Sequence, residues 1–139
     1  MASSTLRIII LVVFIMHGIG HLMGLLAALG IKLSPNHSTV SWLLSNVLGT
    51  NIERILCSIF SIAASILFVA AAFGMMNWFG LHANWQTLAL YAAWISLIGL
   101  VLFWNSYPFF IPNKAGVILL DVLTITGILW TDWPQKLLR

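Results

Sequence analysis

The sequence predicts an all-α fold, an integral membrane four-helix bundle, and three observations support this. Of the 139 residues, 61% are hydrophobic and 6% are charged, whereas an ordinary soluble domain is about 25% charged. Several apolar segments reach the length of about 20 residues that crosses a bilayer. Polar or proline-containing stretches separate these segments, so we expect a single transmembrane domain over residues 1–139, with spans at about 6–30, 52–75, 85–106 and 115–133.

The first span, residues 6–30, has Arg7 at its start, and Lys32 marks its far end. Its uncharged run is longer than the core of a secretory signal, about 7–15 residues, so we expect it to be retained as a membrane span. After a polar turn, residues 40–48 are again apolar and contain Trp42, a residue type that favours the membrane interface. This pattern predicts a short interfacial helix between spans 1 and 2.

The later spans are separated by short connections rich in aromatic residues. The second span opens near Glu53, and the third covers residues 85–106. Pro108 and Pro112 exclude a continuous helix after it, since each removes a backbone donor and restricts the residue before it. The fourth span is therefore expected to start at about residue 115.

Four spans would place both termini on the same side of the membrane. The positive-inside rule gives no decision, because each side carries three basic residues. The side with the termini carries Arg7, Lys136 and Arg139, and the opposite side carries Lys32, Arg54 and Lys114. The charge at the amino terminus favours cytoplasmic termini in a cell inner membrane. Since the basic residues flank apolar runs, we expect them to anchor the protein in the lipid bilayer and not to bind nucleic acid. We also expect the chain to form a homo-oligomer or to belong to a larger membrane complex.

Two histidines in the first span are the strongest indication of chemistry. His17 and His21 are one helical turn apart and share a helix face with Gly24. Imidazoles near the membrane midplane need a partner or a function. In the fourth span, Asp121 lies seven residues beyond Lys114, and a carboxylate at that depth also needs a partner. We expect His21 to bond to Asp121, which would let the pair handle protons.

A polar pocket is predicted around this pair. Glu53 and Arg54 open the second span on the same side as Lys114, so a polar path from that surface to the midplane is expected. His21 and Asp121 are the candidate catalytic residues. In a simpler alternative the histidines serve only assembly, as interhelical hydrogen-bond donors. The candidate ligand-binding residues are His17, Glu53, Arg54 and Gly24.

Metal and haem sites are weaker interpretations of the histidine pair. A metal ion, if one binds, would take His17 and His21 as ligands, since an i, i+4 pair holds zinc in H-E-x-x-H helices. The three residues between them supply no acid or base, however. Haem with two axial histidines needs them on opposing helices, so it would require a methionine or a second copy of the chain. Haem and a metal ion are therefore weak candidates for a cofactor, and the residues alone name no other.

The other histidines and the cysteine have simpler interpretations. His37 and His82 fall in predicted connections and are expected to be solvated. Cys57 lies in an apolar run and is expected to be a small buried hydrophobic residue. As the only cysteine of the chain, it forms no intramolecular disulfide.

The chain resembles the DoxX-like group of small four-span bacterial membrane proteins. In that group an arginine precedes the first span, a His-Gly pair lies in its middle and an acidic residue opens the second span. Arg7, His17-Gly18 and Glu53 occupy those positions here, whereas at His21 the group more often has lysine. The resemblance implies a role in a membrane redox system, because one member of the group is a subunit of a thiosulfate:quinone oxidoreductase. That role would involve either a quinone or thiol chemistry. For thiol chemistry Cys57 alone provides no dithiol pair.

We therefore expect a multi-pass protein of a membrane redox system whose intramembrane His/Asp/Glu pocket binds a quinone-like or other lipophilic ligand. Two alternatives stay open. One is a non-catalytic accessory subunit of a larger membrane complex, and the other is a small proton- or ion-coupled transporter subunit that has to oligomerise. The sequence contains no complete catalytic signature, so it does not decide whether the protein is an enzyme.

Overall fold

The computed structural model describes residues 2–130, and within them the chain is all-helical, with no strand. Its four long helices are α1 (Ala2–Ala28), α2 (Ser45–Met75), α3 (Trp85–Leu102) and α4 (Ala115–Trp130). Each belongs to a segment that is long and apolar enough to cross a membrane. The predicted four-helix membrane fold is therefore confirmed, and the protein is a multi-pass protein of a lipid bilayer. The expected end of the fourth span at residue 133, and the basic residues Lys136 and Arg139, lie outside the described residues.

Helices that follow one another in sequence pack side by side, α1 on α2, α2 on α3 and α3 on α4. In contrast, α1 and α4 make little contact with each other, which leaves a groove along that side of the bundle. The core contains large apolar side chains such as Phe14, Phe68 and Met75. The core also contains five fully buried alanines of α2 and α3, whose small side chains let the two backbones approach closely. The five alanines are Ala71, Ala72, Ala89, Ala92 and Ala93.

Two glycines bring α1 against α2. A Cβ atom on Gly18 would lie 3.0 Å from the carbonyl oxygen of Ser65, and a Cβ atom on Gly24 would overlap with the Ser61 hydroxyl. A Cβ atom on Gly20 would meet no atom within 4 Å. The helix contact therefore depends on Gly18 and Gly24, while Gly20 faces open space.

The predicted interfacial helix over residues 40–48 is not confirmed as a separate element. The chain makes turns through residue 44 and becomes helical at Ser45, where α2 begins. Gly49, with φ 72° and ψ 161°, interrupts this helix, and glycine adopts a positive φ without steric cost. The first turn of α2 therefore stands where the interfacial helix was expected, and a kink separates it from the rest of α2.

The connection between α3 and α4 folds back into the bundle. α3 ends at Leu102, and Phe103, Ser106 and Tyr107 are almost fully buried. Single-turn segments at Trp104–Ser106 and Phe110–Lys114 replace the continuous helix that the two prolines exclude. This connection brings polar groups of Ser106 and Tyr107 close to α1.

Candidate functional site

His17 and His21 form the centre of a buried polar network. The two residues are 8% and 0% exposed, and their Nε2 atoms lie 3.4 Å apart. Both rings pack against Phe68 of α2. His21 is parallel to it at a centroid distance of 5.8 Å, and His17 is edge-on at 4.6 Å. The one-turn spacing on α1 and the Phe68 ring together hold the two imidazoles side by side.

Asp121 of α4 is fully buried and bonds to His17. Its Oδ1 lies 2.9 Å from His17 Nε2, and its Oδ2 accepts a hydrogen bond from the Ser96 hydroxyl of α3. The carboxylate therefore joins α1, α3 and α4 at one point. Ser96 is a single serine in an apolar helix, and nothing in the sequence singles it out as a partner.

The bond predicted between His21 and Asp121 is wrong, because Asp121 lies deeper in the bundle than expected. The prediction took Lys114 as a membrane boundary and measured the depth of Asp121 from it. In the structure the chain has already turned inward before Lys114, since Tyr107 reaches His21. Asp121 is thereby level with His17, which lies one helical turn, about 6 Å, from His21.

Tyr107 is the partner of His21, which the sequence barely indicates. Its hydroxyl oxygen lies 2.8 Å from His21 Nδ1, and the residue is buried. Burial, and to a lesser extent the acidic groups of Cys57 and Asp121, raises the pKa of the Tyr107 phenol above its usual range, so the hydroxyl stays protonated. In the sequence, Tyr107 is only one of several aromatic residues in the connection after the third span. The only other signal is that a buried tyrosine hydroxyl usually has a hydrogen-bond partner.

Glu53 and Arg54 do not join this network. Glu53 is buried, and its Oε1 accepts hydrogen bonds from the Ser41 backbone N–H at 3.0 Å and from the Ser45 hydroxyl at 2.7 Å. It therefore stabilises the connection between α1 and α2. Arg54 is exposed. The polar path expected from these two residues to the histidines is not present among residues 2–130.

Gly24, a predicted ligand-binding residue, lies at a helix contact. Its missing side chain lets α1 approach Ser61 and Cys57 of α2. The Cys57 thiol donates to the carbonyl oxygen of Gly24 at 3.6 Å. Cys57 is 1% exposed, so the prediction of a buried cysteine is confirmed. Gly24 therefore serves the packing of α1 on α2.

His37 is buried, so the expectation that it is solvated is wrong. Its Nδ1 accepts from the Leu33 backbone N–H at 3.2 Å. Its Nε2 lies 2.9 Å from the carbonyl oxygen of Ser106 and 3.2 Å from that of Met23. The ring thus ties the α1–α2 connection to the α3–α4 connection, because both fold onto the bundle. His82 is exposed, as expected.

An apolar groove between α1 and α4, the α1–α4 groove, runs beside the network. The part next to the histidines has a volume of about 410 Å³. Val13 and Leu120 connect it to a second part of about 530 Å³. His17 and Tyr107 are the members of the polar network that line the groove. Its other walls are mainly apolar side chains and glycines, including Met16, Gly20, Met23, Gly116 and Val117.

The network also offers atoms that suit a metal ion. One ring nitrogen each of His17 and His21 and a carboxylate oxygen of Asp121 all lie within 4.8 Å of one another. Haem with two axial histidines needs them on facing helices, whereas the two buried histidines of the four long helices both belong to α1. The chemistry open to the network is hydrogen bonding, proton transfer and metal coordination.

Comparison with protein-family models, with curated proteins and with solved structures gave no match to this chain. The candidate site is therefore defined by its own geometry. It is a buried network of five side chains from three helices and one connection, and it borders an apolar groove. These five residues are His17, His21, Ser96, Tyr107 and Asp121.

Proposed function

We propose that this protein binds a quinone-like lipophilic molecule in the α1–α4 groove and exchanges protons with it through His17. The position of His17 carries this proposal. The residue lines the apolar groove on one side and bonds to Asp121 on the other. A quinone needs both surroundings, apolar walls for its ring and a polar group for its carbonyl oxygen.

The groove suits such a molecule in size and in access. Its volume of about 410 Å³ next to His17 lies in the range of about 300–1,000 Å³ typical of small-molecule sites. Because α1 and α4 make little contact, the groove opens on the side of the bundle. A lipophilic molecule can therefore enter directly from the bilayer.

His17 suits the transfer of a proton to a quinone oxygen. Reduction of a quinone adds protons as well as electrons, and imidazole is the side chain best suited to take up and release a proton near neutral pH. Asp121 lies 2.9 Å from His17 Nε2, so the carboxylate balances a positive charge that arises on the ring. The electrons come from another component of a membrane redox system.

In this proposal His17 takes the role that the sequence suggested for His21. His17 contacts the ligand, while Asp121 and His21 orient its ring and balance its charge. The resemblance of Arg7, His17-Gly18 and Glu53 to the DoxX-like pattern supports the redox part of the proposal. We assign the protein to a cell inner membrane with both termini cytoplasmic, on the strength of the basic residue before the first span.

A second candidate function, an accessory subunit of a larger membrane complex, is favoured by the length of the groove. Beyond the histidines the groove continues for about 530 Å³ along apolar side chains such as Leu6, Phe14 and Leu123. A helix of another subunit fits such a surface. Mild detergent extraction distinguishes the two functions, because an accessory subunit co-purifies with larger subunits and a ligand-binding protein is stable as an isolated particle.

Binding of decylubiquinone and of menadione to the purified protein in nanodiscs, measured by calorimetry, tests the proposal. In Gly20→Leu the new side chain fills the groove without a clash at its Cβ. We expect its affinity to fall about tenfold or more, equivalent to about 1.4 kcal/mol. Ile59→Phe adds bulk on an exposed face of α2 and is the matched control, which should bind like the wild type.

A second pair of variants separates the polar contact from the shape of the groove. His17→Gln removes the group that exchanges protons, and His82→Gln makes the same change at an exposed site outside the groove. We expect weaker binding only in the first. If the folded wild type binds neither quinone, or if Gly20→Leu binds as tightly as the wild type, the proposal is wrong.

A further inference from the structure

We propose that His17, His21 and Asp121 bind one divalent transition-metal ion of the zinc type. Two imidazoles and one carboxylate are a donor set found in catalytic zinc sites and in non-haem iron sites. The sequence alone argued against a metal, because the residues between the two histidines supply no further ligand. In the folded protein α4 supplies it, 104 residues after His17.

The spacing of the ligand atoms fits a tetrahedral site. With metal–nitrogen distances of about 2.0–2.1 Å, two ligands of such a site lie about 3.3–3.4 Å apart. The Nε2 atoms of His17 and His21 are 3.4 Å apart. A carboxylate oxygen of Asp121 completes a cluster in which all ligand atoms lie within 4.8 Å. The Asp121 oxygen lies 2.9 Å from His17 Nε2, closer than two ligands of such a site, so binding of the ion requires the carboxylate to rotate away from His17.

The count of protons in the network also favours an ion at this point. When Tyr107 accepts from His21 Nδ1, the Nε2 of His21 is an unprotonated acceptor. When Asp121 is ionised as well, His17 Nε2–H is the one donor that faces both acceptor atoms. A metal ion in place of that proton binds all three atoms and balances the charge of a fully buried carboxylate.

Hydrogen bonds behind the ligands resemble those of known metal sites. A metal-bound histidine usually donates its other ring N–H to a fixed partner, and bound carboxylates are themselves hydrogen-bonded. Tyr107 is this partner for His21, and the Ser96 hydroxyl bonds to the second oxygen of Asp121. Side chains that hold two of the three ligands, His21 and Asp121, in place are thus already present.

The metal site does not depend on the quinone-like ligand. An ion on Nε2 of His17 leaves Nδ1 as the ring nitrogen that carries a proton for the ligand, and the test of the metal site contains no quinone. Purified protein in detergent is stripped with a chelator, dialysed against Co²⁺ and then titrated with Zn²⁺. We expect one Co²⁺ per chain, with the visible absorption bands of a tetrahedral complex, and displacement by Zn²⁺. Atomic absorption gives the stoichiometry. Circular dichroism confirms that each variant is folded.

Three variants locate the ion. Asp121→Asn removes a ligand and should lower the affinity for Co²⁺ by more than about 100-fold. Loss of a hydrogen bond behind a ligand already lowers the affinity by up to about 100-fold, and loss of the ligand itself should cost more. Tyr107→Phe removes only such a hydrogen bond and should lower the affinity by about 10–100-fold. His82→Gln changes an exposed histidine outside the cluster and should bind like the wild type.

A variant that replaces one metal ligand by another tests the site even where a variant that lacks a ligand fails to fold. His21→Cys replaces an imidazole by a thiolate and should keep Co²⁺ bound, with a new sulfur-to-cobalt charge-transfer band in the near ultraviolet. The wild type, whose native cysteine is buried against α1, should lack this band. Absence of Co²⁺ binding to the folded wild type, or equal binding by wild type and Asp121→Asn, overturns the proposal.

Discussion

His17 Nε2 and Asp121 Oδ1 lie 2.9 Å apart although 104 residues separate them in sequence. They belong to α1 and α4, two helices that otherwise make little contact. The bond therefore lies behind the α1–α4 groove, since His17 lines the groove and Asp121 does not, and it connects the two edges of a bundle that is packed in chain order. On the far side of Asp121, the Ser96 hydroxyl extends the connection to α3.

A double-mutant cycle on this pair measures how strongly it holds the bundle. We expect His17→Ala and Asp121→Ala to be coupled by about 0.6–1.7 kcal/mol, between the average and the maximum measured for hydrogen bonds between membrane helices. The free energies of unfolding come from titration with SDS in mixed micelles, followed by circular dichroism. Strictly additive effects of the two substitutions would show that the pair contributes no stability of its own.

Alanine substitutions at two nearby glycines of α1 should have opposite effects. A Cβ atom on Gly18 would press against the Ser65 backbone carbonyl and the Val69 side chain, at 3.0 and 3.2 Å. We expect Gly18→Ala to destabilise the protein by about 1–3 kcal/mol, as overpacking does. Gly20→Ala enters open space and should stabilise α1 by up to about 1 kcal/mol. The same unfolding titration measures the free energy of unfolding of both variants. Equal effects would contradict the close contact of Gly18 with α2 and the open space at Gly20.

The number of spans was predictable because it depends on local properties, whereas the site depends on contacts between distant helices. Runs of apolar residues and the position of Pro108 and Pro112 are visible in the sequence. So is the shared face of His17 and His21, since helical periodicity relates residues within one turn. The depth of Asp121 was misjudged because it depends on how the chain folds between α3 and α4.

Glu53 illustrates why a buried acid was assigned to the wrong place. In the sequence it opens an apolar span beside Arg54, as a pocket residue would. In the structure it accepts hydrogen bonds from Ser41, in the connection before α2, and from Ser45, in the first turn of α2 ahead of the kink at Gly49. No periodicity in the sequence relates these partners, so only the folded chain reveals that Glu53 stabilises a turn.

The stability of the protein should fall at high pH because of Tyr107. Burial raises the pKa of its phenol, while in the unfolded chain tyrosine ionises at about pH 10. The unfolded state therefore loses this proton first, and stability that is complete below pH 10 decreases above it. Tyr107→Phe has no phenol to ionise and should show a smaller decrease. Unfolding titrations at a series of pH values compare the two, and parallel curves would contradict the prediction.

His37 should matter more for stability than its place in a connection suggests. His37→Ala leaves the buried carbonyl group of Ser106 and the partly buried N–H of Leu33 without their partner. An unpaired buried polar group costs about 1–3 kcal/mol, and we expect a loss of at least that size. The matched change His82→Ala, at an exposed histidine, should alter the free energy of unfolding by less than about 0.5 kcal/mol. A similar small effect of both substitutions would refute a structural role for His37.

The separation of His17 from Asp121 also sets the order in which the site is made during protein synthesis. At about 5–20 residues per second, the ribosome needs roughly 5–20 s to advance the 104 positions from His17 to Asp121. For that interval the histidines of α1 are in the nascent chain without their carboxylate. Any chain released before α4 is translated therefore carries a histidine pair that cannot form the network, and insertion of α4 completes the site.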